Sequence, residues 1–313
     1  MAAALGTAQA KAPKCEVQHY DLVEVPLRPA GINNSQVIVG TSEEGRAALW
    51  SKRAGLREAA VPSGFTNSEG VGLNDNGLAI GNAVDRRATQ RQGFSFSHDK
   101  VTPLSGTHSR PFAVNNAGQI AGESQVPGAT KSSAAIWDGA KVTPLRDCCA
   151  SVAYGINNRS VVIGNIYDKS GRYRAFVWDQ AHGLSRIGPE SSFSTALAIN
   201  QAGEILLQVY PDDVMLYRDG EMKRLELSDK RPAAHPRAIN DCDLIVGQYG
   251  PFGDADRAFV WSQAQGFHDL NDLIGEHKGW VLQAATGINE AGEIVGYGEH
   301  NGDDEGFLLI PKR

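Results

Sequence analysis

One short phrase, a small residue followed by an aliphatic residue and an asparagine, recurs along the chain and constrains it more than any other feature. It reads Gly31-Ile32-Asn33, Gly72-Leu73-Asn74, Ala113-Val114-Asn115, Gly155-Ile156-Asn157, Ala198-Ile199-Asn200, Ala238-Ile239-Asn240 and Gly287-Ile288-Asn289. The asparagines lie 41, 41, 42, 43, 40 and 49 residues apart, so almost all of the 313 residues are periodic. Such a period marks a supersecondary unit that cannot bury its apolar face alone and must stack against copies of itself.

Every unit continues in the same order. A turn of the form Asn-x-x-Gly leads into a β-branched run that ends at Gly40, Gly81, Gly122, Gly164, Gly247 or Gly296; the fifth unit ends at Leu207. A second apolar run follows at residues 47–50, 93–96, 134–137, 175–178, 214–217, 258–261 and 306–309. Trp50, Trp137, Trp178 and Trp261 share one slot in it, which reads as blade packing. A fourth strand is clearest in the identical pentapeptides at residues 100–104 and 141–145. Alternating β-branched and aromatic content supports strands throughout, and no helical period is sustained. Four short strands per unit, repeated radially, predict an all-β chain forming a seven-bladed β-propeller with four-stranded antiparallel blades.

The ends of the chain support this count. The seventh unit stops after its third strand, whereas an unassigned strand at residues 19–27 precedes the first unit. Placed in the outer slot of the last blade, that N-terminal strand closes the ring and leaves no long unpaired edge. Residues 15–313 therefore read as a single propeller domain. Residues 1–14 read either as a flexible N-terminus or as a signal-peptide remnant, since Ala8-Gln9-Ala10 matches a small-x-small cleavage pattern without a charged segment before it.

The sequence A/G-I-N-x-x-G-x-I-V-G followed by A-F-V-W resembles the HAF-type repeats of bacterial extracellular proteins, across residues 28–313. The resemblance implies an exported protein, extracellular or periplasmic, and leaves the activity open because propellers host many functions. Gln36, Ser160 and Asp243 depart from it at the turn glycine and Leu207 at the strand-end glycine.

Composition removes several classes. A formal charge of −6 supplies no basic field for nucleic acid. No apolar run reaches the ~18 residues that a membrane-spanning helix needs. The four cysteines, Cys15, Cys148, Cys149 and Cys242, lack C-x-x-C spacing and read as incidental, the adjacent pair as free thiols. No phosphate loop, dinucleotide fingerprint or nucleophile elbow occurs, and the acidic loops at 254–256 and 303–305 lack calcium-loop spacing. Neither a cofactor nor a metal is expected, and the chain reads as a monomer.

A repeat carries its own control, because positions alike in all units serve the scaffold and chemistry should sit where units differ. Two and four residues before each asparagine only Gly, Ala and Pro occur; a period of two places both on one face, crowded around the axis. The asparagines read as turn residues bonding local backbone. Five residues before the asparagine the units carry Arg28, Glu69, Arg110, Val152, Thr195, His235 and Ala284, and three before it Ala30, Val71, Phe112, Tyr154, Leu197, Arg237 and Thr286. Here the symmetry breaks, into a polar mouth with cationic bias suited to a carboxylate or sugar.

Loops on that face add His108, His277, Tyr167, Tyr210, Tyr249 and Tyr297. Two readings follow. In the first, Arg28, Glu69, Arg110, Arg237, His277, Tyr249 and Tyr297 bind a small anionic or saccharide ligand, or a protein partner. In the second, His235, His108 and Tyr154 move protons, as in a lyase or isomerase acting on an acidic saccharide or other small carboxylate. Catalysis requires one of the histidines in the pocket that holds Tyr154 and an arginine.

Overall fold

The computed structural model describes residues 16–85, 87, 90–97, 100–125, 131–145, 150–167, 171–227, 234–250, 256–275 and 279–312. Seven four-stranded antiparallel sheets form a ring, each built from consecutive strands except the last. The first blade runs Arg28–Ile32, Ile38–Thr41, Ala47–Ser51 and Gly55–Glu58 from the axis outward. The seventh takes Trp280–Ile288, Ile294–His300 and Asp303–Pro311 from the C-terminus and Tyr20–Val25 from the N-terminus. That closing strand is antiparallel to its neighbour, with Tyr20 opposite Pro311 and Val25 opposite Gly306. The expected ring closure is thus observed, and it covers what would otherwise be an open sheet edge.

The apolar core lies between blades. Ile80 and Leu104 of the second blade pack with Ile120, Ala135 and Trp137 of the third, and equivalent clusters fill the other junctions. Trp137 is fully buried and its indole N–H donates to the Ser105 carbonyl at 2.8 Å, so the Trp slot serves packing as expected.

Seven asparagines hold the inner ends of the blades in register. The Oδ1 of Asn74 accepts the amides of Asn76 and Leu78 at 3.1 and 2.9 Å, the local turn role read from the sequence. The Nδ2 does something the sequence did not disclose, donating to the backbone carbonyl of the asparagine in the next blade. The links run 33 to 74, 74 to 115, 115 to 157, 157 to 200, 200 to 240, 240 to 289 and 289 back to 33, at 3.0, 2.8, 3.1, 3.3, 3.2, 3.0 and 3.1 Å. They form a closed girdle around the axis. The turn that presents each asparagine needs a left-handed residue, and Gln36, Ser160 and Asp243 adopt it without glycine, at φ 58°, 60° and 58°.

A second set of ties joins neighbouring blades. The Oγ atoms of Ser68, Ser109, Ser151 and Ser194 accept the amides of Ala47, Gly93, Ala134 and Ala175 in the preceding blade, at 3.0 to 3.1 Å. All four serines are buried.

The strand-end glycine has a steric cause. A Cβ at Gly164 would stand 2.0 Å from the Val152 carbonyl oxygen and 2.8 Å from the Phe176 ring. In the fifth blade Leu207 fills this slot and pairs with Met215.

One expectation is corrected. Between the residues four and two before each asparagine all seven inner strands shift register, as at Pro29/Gly31 and Pro236/Ala238. Pro29 pairs with Gly40 and Gly31 with its neighbour Val39, which puts the two small residues on opposite faces. The cause is a β-bulge, which sets two residues against one and breaks the period of two. Cys242 is also more than incidental, since it is disulfide-bonded. Cys15, Cys148 and Cys149 lie outside the described residues.

Candidate functional site

The bulge builds the site. It lies three residues before the asparagine and re-aims that side chain, so Ala30, Val71, Phe112, Tyr154, Leu197, Arg237 and Thr286 all line one axial cavity of about 640 Å³. Arg28, Glu69, Thr195 and Tyr297 add polar groups to the lining. Both columns in which the repeat breaks its symmetry therefore contribute to the mouth.

The polar groups are held from behind. The Arg28 guanidinium lies 3.7 Å over the Tyr297 ring centroid, a cation–π contact that orients both. Glu69 accepts the Asn82 amide at 3.4 Å, and the Arg237 Nε donates to Gln248 Oε1 at 2.9 Å. Gln248 in turn donates to Asp256 at 2.7 Å. Arg110 sits 4.8 Å over Phe112 and 3.7 Å from a Glu123 oxygen, but it is not part of the cavity lining. Phe112 meets Tyr154 edge-on at 5.2 Å.

Next to these residues runs a column one position past the strand-end glycine, Thr41, Asn82, Glu123, Asn165, Gln208, Gln248 and Tyr297, of which sequence reasoning singled out Tyr297 alone; Thr41 and Tyr297 reach the cavity. Each pairs in register with the residue five before the asparagine, as Glu69 with Asn82 and His235 with Gln248. Seven polar residues inside strands were the available signal. Buried polar groups need partners, and Asn165 finds one in the next blade by accepting the Ala196 amide at 3.1 Å.

Electrostatics separates the candidates. Burial pushes the Tyr154 hydroxyl up to about 12, helped by Tyr167 and Glu123 and opposed by Arg110. Burial also raises the Glu123 carboxyl, with Arg110 pulling it back. His235 is lowered, first by burial and then by Arg237, while Asp256 and Asp212 oppose the shift.

The remaining predicted residues fall elsewhere. Neither His235 nor His108 lines the cavity, and His108 is exposed with a left-handed φ of 52°. Tyr249, absent from the lining, donates to Asp269 at 2.8 Å, a carboxylate also held by Arg257, and its hydroxyl is raised to about 12, chiefly by burial. His277 lies outside the described residues. No cluster of metal-ligating side chains occurs among the described residues.

Fold and mouth together place the chain in a class, the seven-bladed β-propellers whose last blade is completed by the N-terminal strand. No family model matches the chain, and no curated protein matches it in sequence. Solved propellers do match in structure. The propeller domain of the trilobed protease from Pyrococcus furiosus aligns with TM-score 0.61 and 10% identity over 93% of this chain and 95% of that one. YCF48, solved bound to D1 peptide, aligns with TM-score 0.56 and 9% identity over 97% and 100% of the two chains. The WD40 propeller of Doa1 aligns with TM-score 0.56 and 12% identity over 95% and 98%. At these identities the likeness is one of fold.

Proposed function

We propose that this chain is an exported binding propeller that takes a carboxylate-bearing small molecule or saccharide at its axial mouth. The observation that carries the reading is the composition of the cavity. Arg28 and Arg237 bring fork-shaped cations to a floor made of Val71, Phe112, Tyr154 and Leu197. Guanidinium groups grip a carboxylate in bidentate fashion, and the aromatic and aliphatic floor accepts an apolar ligand face. Glu69 adds an acceptor for hydroxyl groups. A protein partner offering a terminal or side-chain carboxylate would use the same groups, and YCF48, solved bound to D1 peptide, is a propeller that binds a peptide.

Binding is favoured over a lyase or isomerase because the groups that would move protons are poorly disposed. Tyr154 keeps its proton at neutral pH, and neither His235 nor His108 reaches the lining. Export is supported by the resemblance to HAF-type repeats, by Ala8-Gln9-Ala10 and by the disulfide on Cys242, since disulfides persist in oxidising compartments.

The test is a thermal-shift panel of uronates, neutral sugars and small carboxylates. A ligand at ~100 times its Kd stabilises the fold by about 2.7 kcal/mol. At roughly 2–4 °C per kcal/mol that shift is readily measured. Arg237→Ala should abolish it. A panel without any response, or a response that survives both Arg237→Ala and Arg28→Ala, refutes the proposal.

A further inference from the structure

The mouth does not end at the axis. Phe112 and Tyr154, on the inner strands of the third and fourth blades, meet at 5.2 Å. Tyr154 is hydrogen-bonded to Tyr167 at the end of the next strand. Tyr167 then touches Tyr173 at 6.1 Å, Tyr173 touches Phe193 at 5.3 Å, and Phe193 touches Tyr210 at 6.2 Å. The result is an unbroken strip of aromatic rings running from the cavity across the fourth blade to the fifth. Phe112 and Tyr154 lie in inner strands, Tyr167 ends a second strand, Tyr173 begins a third strand, and Phe193 and Tyr210 lie in the loops that flank the fifth blade's first two strands.

The strip is not core. None of its rings is buried, and Tyr210 at the outer end is 64% exposed. Core aromatics of this fold behave differently: Phe94, Phe176, Phe259 and Phe307 are fully buried over the strand-end glycines. Contacts within the strip are tilted or edge-on, from 42° to 82°, so the rings do not spend their faces on each other. Four of the chain's eight tyrosines lie in it, and their hydroxyls set hydrogen-bonding groups beside apolar faces.

We infer that this strip is a run of subsites for an extended saccharide chain whose acidic end residue occupies the axial mouth. The inference rests on the carboxylate-binding reading of the mouth and extends it outward. Charge is arranged to match. Arg237 and Arg28 bring cations to the cavity at the inner end, while Arg174 beside the strip turns its guanidinium onto the carbonyls of Pro189 and Glu190. The rings of the outer strip are themselves uncharged and amphipathic, which suits sugar rings with one apolar face and a rim of hydroxyls. The four ring-to-ring steps on the two sides of the Tyr154–Tyr167 hydrogen bond, 5.2 to 6.2 Å, are close to the length of one sugar residue in a chain. An extended peptide fits less well: its main chain would need an open strand edge, whereas the strip runs over strand ends and loops.

Titration calorimetry of the full chain with galacturonate and with oligomers of neutral sugars that end in one galacturonate, up to the hexamer, tests the inference. Affinity should rise with length. Tyr210→Ala and Tyr173→Ala should each weaken the hexamer about tenfold and leave the monomer unchanged. Arg237→Ala should weaken both, which separates the mouth from the strip. Tyr210 is exposed, so its loss leaves folding intact, and circular dichroism of each variant checks that. A hexamer that binds no better than the monomer, or that is indifferent to both tyrosine substitutions, overturns the strip while the mouth reading stands. Failure of monomer and hexamer alike overturns both. Binding of acidic-tailed peptides that depends on Tyr210, with no response to the uronate-ended oligomers, overturns the saccharide assignment in favour of a protein partner.

Discussion

Asn74→Ala removes three hydrogen bonds at once: the link to the Asn115 carbonyl at 2.8 Å and the two amides, Asn76 and Leu78, that Oδ1 accepts at 3.1 and 2.9 Å. The side chain is 5% exposed, so water does not replace its partners fully. At a net ~1 kcal/mol per bond the loss is about 3 kcal/mol. Asn289 makes the same contacts and also donates to the buried Glu293 at 2.7 Å. A bond to a charged acceptor adds about 1.5–3 kcal/mol, so Asn289→Ala should cost nearer 5 kcal/mol. Asn74→Asp keeps the acceptor, loses the donor and sets a carboxylate against a carbonyl oxygen. Its folded pKa would rise above the unfolded ~3.9, so the penalty is absent below that pH and appears as pH climbs through the folded value. Urea unfolding with linear extrapolation reads all three variants. Losses under about 0.5 kcal/mol for both alanine variants would refute the girdle as a stabilising structure. So would an Asn74→Asp variant no more stable at pH ~4 than at pH ~7 relative to the parent protein.

Ser109→Ala strands the buried Gly93 amide and should cost about 1–3 kcal/mol in the same assay, although the change removes a single oxygen. Gly164→Ala drives a Cβ to 2.0 Å from the Val152 carbonyl and should reduce soluble yield, while the same change at the open turn residue Gly171 should act only through backbone strain at its φ of 80°. His235 is held neutral chiefly by burial, so its folded pKa lies below the unfolded ~6.5 and stability should fall as pH drops through this window; His235→Gln should flatten the stability curve between pH ~7.5 and ~5.

The ring was legible because its signal is periodic. The anchoring phrase, the Trp slot and the strand missing from the last unit fixed blade count and closure together, and the structure repeats them strand for strand. The site was legible only in part. Columns that break the repeat did point to Arg28, Glu69, Tyr154 and Arg237, all of which line the cavity. The bulge was hidden because it is a property of pairing between strands and leaves no mark on one strand read alone. The reach of His235 and Tyr249 was equally unreadable, since which way a half-buried ring turns depends on partners such as Asp269 that are distant in sequence. The asparagines show a third limit. Their turn role follows from local chemistry, but the bond to the next blade becomes visible only once the blades are set side by side.

That girdle acts as a gauge. Its links have nearly one length, 2.8 to 3.3 Å, and each joins two turns of the same shape, so every link must bend the circle by the same angle. A circle of such links closes at one number of units and at no other. The chain's own break lies inside the seventh blade, between Asp303–Pro311 and Tyr20–Val25, and the link from Asn289 to Asn33 at the junction next to it matches the rest at 3.1 Å. Blade number in this molecule is thus counted twice, once by the polypeptide and once by a loop of amides that has no first member.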